Sequence, residues 1–195
     1  MLRQTALLMA ALVALASPLS SQQSDPDQMS RLIIHPTMKL DQHWFAASWL
    51  IGNVRRAGPP GNMNIFGGLG YRRGGSSLET MIWRQWGRKN NWLLDVRNSF
   101  SLGRTSFFTE VSPFLSQRAL YHMSVVEAVV SGPLALGAET ENTFRPAKNS
   151  IGYGPRVSWT LVKNANSRLI LTTAYQYHPQ ERDLARMYLI SHRKF

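Results

Sequence analysis

Cysteine is absent from the 195-residue chain, which excludes a disulfide framework, a thiolate metal site and a cysteine-linked lipid anchor. Long hydrophobic runs are missing as well. The most apolar stretch beyond the N-terminus, residues 125–136, is broken by Glu127, Ser131, Gly132 and Pro133. A bilayer-crossing helix needs about 20 apolar residues, so none is expected. Acids are scarce: 11 Asp and Glu stand against 22 Lys and Arg, a formal charge of +11. The basic residues are scattered and no helical recognition motif accompanies them, so no nucleic acid partner is expected. Anionic lipid or lipopolysaccharide phosphates suit them better. The five histidines are dispersed and form no ligand-spaced pair, so neither a metal nor a cofactor is expected. Gly67-Gly68-Leu69-Gly70 lacks the Lys and the helix that follow a phosphate loop.

What is present begins with an export pattern. Met1-Leu2-Arg3-Gln4 supplies a positive start, Thr5 to Ala16 an apolar core and Ala14-Leu15-Ala16 a cleavage site, which reads as a signal peptide over 1–16. Residues 17–42 read as a flexible leader. Leu32-Ile33-Ile34 could begin a strand there, but His35-Pro36 is expected to stop it. Residues 43–195 read as a single domain of ten strands: 43–55, 63–73, 77–86, 91–101, 104–114, 119–130, 134–144, 150–162, 167–178 and 184–195. Each is about 10–13 residues long, whereas strands of soluble proteins average about 5–6.

The two faces of these strands differ. Ile151, Tyr153, Val157, Trp159 and Leu161 alternate with Gly152, Gly154, Arg156, Ser158 and Thr160, a period of two with one apolar and one small or charged face. The connections alternate too. Gly74-Gly75, Leu102-Gly103, Ser131-Gly132-Pro133 and Lys163 to Asn166 are tight, and those between them are longer on average and basic. Short turns at one end and longer loops at the other suit a transmembrane barrel.

Together the signal peptide, the lack of Cys, the aromatic-studded strands and the terminal Phe195 resemble a small bacterial outer-membrane β-barrel protein. That resemblance implies a closed antiparallel up-and-down barrel of about ten strands (range 8–12) with short loops. It further implies apolar faces toward lipid, Phe195 as a C-terminal signal for the barrel assembly machinery, and location in the outer membrane. The six Trp and six Tyr fit aromatic girdles at the two interfaces.

With apolar faces outward, the lumen receives Asp95, Arg97, Glu110, Glu139, Glu141 and Arg156. A register placing Phe144 opposite Ile151 sets Glu139 opposite Arg156. Charges that compensate one another would fill a narrow lumen. The expected role is therefore structural or interactive within the envelope. A basic outer rim of Arg56, Arg88, Lys89, Arg118, Arg145, Lys148 and Arg182 would face lipopolysaccharide phosphates. Three alternatives stand beside it: a narrow channel for small solutes, a membrane-embedded lipid A-type acyl hydrolase, and a secreted soluble barrel binding an apolar ligand. The hydrolase would use His122 and Ser124 with Glu141, brought together by a register that pairs Val130 with Pro133. The His-x-Ser spacing is similar to that of outer-membrane lipid A deacylases, whose Asn and aromatic neighbours are missing from the motif here. On this reading the acids face the lumen.

Overall fold

The computed structural model describes residues 27–55, 63–86, 91–114 and 118–195. Among them lie eleven strands: β1 (Asp27–Lys39), β2 (Trp44–Arg55), β3 (Met63–Arg73), β4 (Ser76–Trp86), β5 (Asn91–Leu102), β6 (Thr105–Phe114), β7 (Ala119–Ser131), β8 (Leu134–Phe144), β9 (Ser150–Lys163), β10 (Ser167–Gln176) and β11 (Leu184–Lys194). They close into one barrel in which every strand pairs with its neighbour in sequence and β1 with β11. β2 to β11 coincide with the ten expected segments to within a residue or two at most ends.

The eleventh strand is β1, in the stretch read as a flexible leader. Met29, Ile33, His35 and Thr37 turn inward and are buried, while Leu32, Ile34 and Met38 are exposed. Pro36 does not end the strand. It stays in register with Arg193 of β11, and only the β1–β2 ladder skips His35 and Pro36. A residue before proline is pushed toward extended backbone, which a strand already has. The odd count has a geometric consequence. Ten neighbouring pairs are antiparallel, but the closing pair, β1 with β11, runs parallel. The up-and-down antiparallel arrangement therefore holds everywhere except at this seam. An odd number also departs from the even counts usual in single-chain bacterial outer-membrane barrels.

One end of the barrel carries residues 40–43, 74–75, 103–104, 132–133 and 164–166, together with Phe195; this is the turn end. The other, the loop end, carries Arg118, the connections at 145–149 and 177–183 and the start of β1. Three of the tight hairpins place Gly74, Gly103 and Gly132 at φ of 58°, 59° and 50°, the left-handed region that such turns require and that glycine tolerates best.

Side chains alternate between outside and inside, except at the irregularities between Val129 and Ser131 and between Leu169 and Ile170. Leu32, Leu69, Ile82, Leu94, Val126 and Tyr153 are among the many large apolar residues left exposed on the outer wall. The inside is of two kinds. Ile33, Trp49, Phe66, Met81, Trp83, Leu93 and Ile170 belong to an apolar cluster, and the remainder is polar and charged. Trp49 and Trp83, expected in the aromatic girdles, are thus interior. Phe66 stacks on Trp83 with ring centroids 4.7 Å apart. An eleven-strand lumen is wider than the eight-strand barrels that ordinary side chains can fill, and large rings occupy that extra width.

Candidate functional site

All six residues expected in the lumen face it, and the structure sorts them into two clusters. In the first, Arg97 donates through Nε to Asp95 Oδ1 at 2.9 Å and through Nη2 to Glu110 Oε1 at 3.2 Å. Ser112 Oγ donates to Asp95 Oδ2 at 3.0 Å. The Arg97 guanidinium lies 4.2 Å from the Trp49 ring centroid and 4.5 Å from that of Phe66, a cation over aromatic faces in a water-poor setting. Trp49 Nε1 donates to Glu79 Oε2 at 2.8 Å, which joins the apolar cluster to the charges.

Glu139 centres the second cluster. It accepts from Arg156 Nη1 at 2.6 Å, Gln176 Nε2 at 2.7 Å and Tyr188 OH at 2.9 Å. Arg156 Nε also donates to Glu127 Oε1 at 3.0 Å. Glu141 is held by Arg186 and lies 3.6 Å from Arg31 Nη2. Glu127 shares the inward face of β7 with Val125 and Val129.

The expected register of β8 and β9 is two residues off, since Glu139 opposes Gly154 and Arg156 opposes Gly137. A shift of two keeps every side chain on its face, so Arg156 still reaches Glu139, on the diagonal. Glu79, Arg31, Arg186, Tyr188 and Gln176 were missed. Glu79 could have been read from its alternation with Leu78 and Ile82, and Arg186 and Tyr188 from theirs with Met187 and Leu189. Arg31 was lost with the leader.

A cavity of about 630 Å³ runs from Arg97, Glu110, Arg156 and Tyr188 toward Pro133, Lys163 and Arg168 at the turn end. The charged clusters form its floor.

His122 and Ser124 stand on the outer wall. Ser124 Oγ lies 2.9 Å from His122 Nε2, and the side-chain amide of Asn142 lies 3.2 Å from His122 Nδ1. Glu141 does not join them, because it is inside the barrel. The cause is an irregularity between Val129 and Ser131, where β7 carries one residue more than β8. Beyond it the register is His122 opposite Asn142 and Ser124 opposite Thr140. A slip of one residue changes the face, so the partner of His122 is Asn142.

No family model, curated protein or solved structure matches the chain.

At the loop end Arg118, Arg145 and Arg182 are exposed, and Lys148 Nζ lies 3.4 Å from Glu181 Oε1. Partial burial pushes the Glu181 carboxyl up, but the hydrogen bond from Ser150 and the Lys148 ammonium bring it below its ordinary range. Arg56, Arg88 and Lys89 lie outside the described residues. Basic residues are not confined to this end, since Lys39, Arg72, Arg73, Arg104, Lys163, Arg193 and Lys194 gather at the turn end. Phe195 is there too, 71% exposed. Among the described residues no cluster of three or more His, Cys, Asp or Glu could hold a metal ion.

Proposed function

We propose that the protein is a β-barrel of the bacterial outer membrane, exported by its first 16 residues, with a structural or interaction role and a lumen held shut by charge. One observation carries this reading: the distribution of polarity is inverted. Exposed outer-wall residues such as Leu69, Ile82, Leu94 and Tyr153 are apolar, while Asp95, Arg97, Glu139 and Arg156 are buried within. Soluble monomers rarely expose apolar patches beyond a few hundred Å², whereas a barrel in lipid turns its apolar face outward. The short loops leave little room for a binding domain. The basic rims suit the phosphates of lipopolysaccharide and other anionic lipid, and the exposed Phe195 suits recognition by the barrel assembly machinery.

The test is fractionation of expressing cells, followed by gel migration with and without heating. Recovery in detergent-extracted outer membranes with heat-modifiable migration is expected, and a freely soluble periplasmic monomer would sink the proposal. In planar bilayers the paired charges at mid-barrel predict no conductance steps. Discrete steps would favour the narrow channel instead. The cavity at the turn end favours a second reading, a barrel that takes up a small amphipathic ligand there. Displacement of a fluorescent fatty-acid probe by occupants of that cavity, abolished by a bulky substitution at Ala135, would support it.

A further inference from the structure

Among the described residues, the outer wall carries a polar patch. Asn98, Thr109, Ser124 and Thr140 oppose one another in register across β5, β6, β7 and β8. One step toward the loop end, His122 opposes Asn142. Apolar residues border this row, Phe100, Phe107, Val126 and Ala138 among them, and a groove of about 290 Å³ runs beside Ser124 between them. Phe100 and Phe107 stack at 4.5 Å to form part of its wall. Polar side chains on a wall facing lipid are expensive and call for a functional account.

From the groove and the contacts of His122 with Ser124 and Asn142, we propose that these three residues hydrolyse acyl esters of membrane lipid. The membrane reading supplies the substrate's location; the site itself rests on the geometry. Asn142 Oδ1 is buried without a hydrogen-bond partner. Turning the amide over gives it one, the proton on His122 Nδ1. That contact fixes the tautomer in which Nε2 is unprotonated and accepts from the Ser124 hydroxyl, the roles of orienter, base and nucleophile. An acyl chain lying in the groove brings its ester carbonyl to Ser124.

Ser124 Oγ then bonds to the carbonyl carbon while its proton passes to His122 Nε2. The Thr109 hydroxyl, 3.1 Å from Ser124 Oγ, is placed to turn toward the developing oxyanion. Collapse breaks the ester C–O bond, and the leaving alcohol takes the proton from His122. Water, deprotonated by His122, attacks the acyl-serine. The fatty acid leaves, and the proton returns to Ser124.

The experiment uses the full chain refolded in detergent, with folding checked by heat-modifiable migration. A fluorophosphonate probe is added, its adduct is located by mass spectrometry, and fatty acid release from phosphatidylethanolamine mixed micelles is followed. Expected are an adduct on Ser124, loss of labelling and release in Ser124→Ala, and a fall in kcat of about 10²–10⁴-fold in His122→Ala. Asn142→Ala should lose more activity than Asn142→Asp, which can still accept from Nδ1–H. Thr109→Val should lower kcat with KM little changed. If Ser124→Ala does not fold, the adduct position on wild-type protein still decides. Folded wild-type protein that takes no label on Ser124 overturns the proposal, as does release that survives in Ser124→Ala. Vesicle partition in the same preparation separates the two readings: protein that stays in water yet is labelled at Ser124 overturns the membrane reading and leaves the site standing.

Discussion

Arg156 donates to Glu139 at 2.6 Å although neither is the other's register partner, for each opposes a glycine instead. Gly137 and Gly154 leave the inner wall low between the two side chains, and the guanidinium crosses it diagonally. Glu139 is 1% exposed, so loss of Arg156 leaves a carboxylate that water cannot reach, with Gln176, Tyr188 and, at 3.8 Å, Arg186 as its remaining partners. Breaking such a pair costs about 3–5 kcal/mol. Arg156→Ala and Glu139→Ala should each lower the unfolding midpoint in urea, measured on lipid-reconstituted protein by tryptophan fluorescence. The double variant should lose less than the sum, with a coupling of about 0.5–3 kcal/mol. Strictly additive losses would show that the two charges do not act as a pair.

One of these glycines can be tested directly. A methyl added at Gly154 would meet the Tyr175 carbonyl oxygen, a backbone atom of the adjacent strand, whereas one added at Gly67 meets nothing within 4 Å. Gly154→Ala should therefore destabilise by about 1–3 kcal/mol, as overpacking does. Gly67→Ala should stay within about 0.5 kcal/mol of the parent. Equal midpoints for the two variants would contradict this contact.

Pro36 offers a gain rather than a loss. The β1–β2 ladder lapses at His35 and Pro36 while the β1–β11 ladder continues, so a donor is missing on the β2 side. Pro36→Thr supplies it, and one added hydrogen bond is worth about 0.5–1.5 kcal/mol. A higher urea midpoint and slower exchange of the new amide are expected. An amide that exchanges as fast as those in the loops would mean that this position makes no bond to β2.

Asp41 sets the pH dependence of the turn between β1 and β2. Its Oδ1 accepts from the backbone N–H groups of His43 and Trp44, both at 2.7 Å. The Trp44 and His43 amides hold the carboxyl below its ordinary value, which is about 3.9 for an aspartate. The folded state thus prefers the ionised form, so the stabilisation is fully present above that ordinary value and fades as pH falls through the lowered one. Asp41→Ala should be less stable than the parent at neutral pH, and the difference in midpoint should shrink as the pH is taken below about 4. A difference that does not change with pH would assign the effect to packing.

Strand positions from residue 43 onward were legible because a barrel wall imposes a period of two, and because Gly-rich turns punctuate it. Three features escaped for separate reasons. β1 was hidden by Pro36, since a proline is a weak breaker where one neighbouring strand does not need its N–H. Asn142 was hidden by the extra residue near Val130: a single inserted position exchanges the faces, and nothing in the run Val129-Val130-Ser131 announces it. Trp49 was misplaced because Phe45, Ala47 and Ile51 on one face of β2 are as apolar as Ala46 and Leu50 on the other, so alternation is mute there. The charged lumen, by contrast, was readable in part, since acids and arginines recur at even spacing opposite apolar residues. Its exact pairs depend on which inner positions are glycine, which requires the register.

The parallel seam also carries a constraint of time. Each of the other ten pairings joins strands adjacent in sequence, so a turn brings the two together, but β1 must find β11 across the whole length of the domain. Pairings at such separation are intrinsically slow, because the entropy of closing the loop is lost before any contact forms. No turn dictates the register of that last joint. The seam must be selected by side chains alone, such as Arg31 over the Tyr188 ring at 5.5 Å and His35 Nδ1 against His192 Nδ1 at 3.0 Å. Until they meet, β1 through β11 form an open sheet, and its two free edges, β1 and β11, are the most vulnerable state this chain passes through.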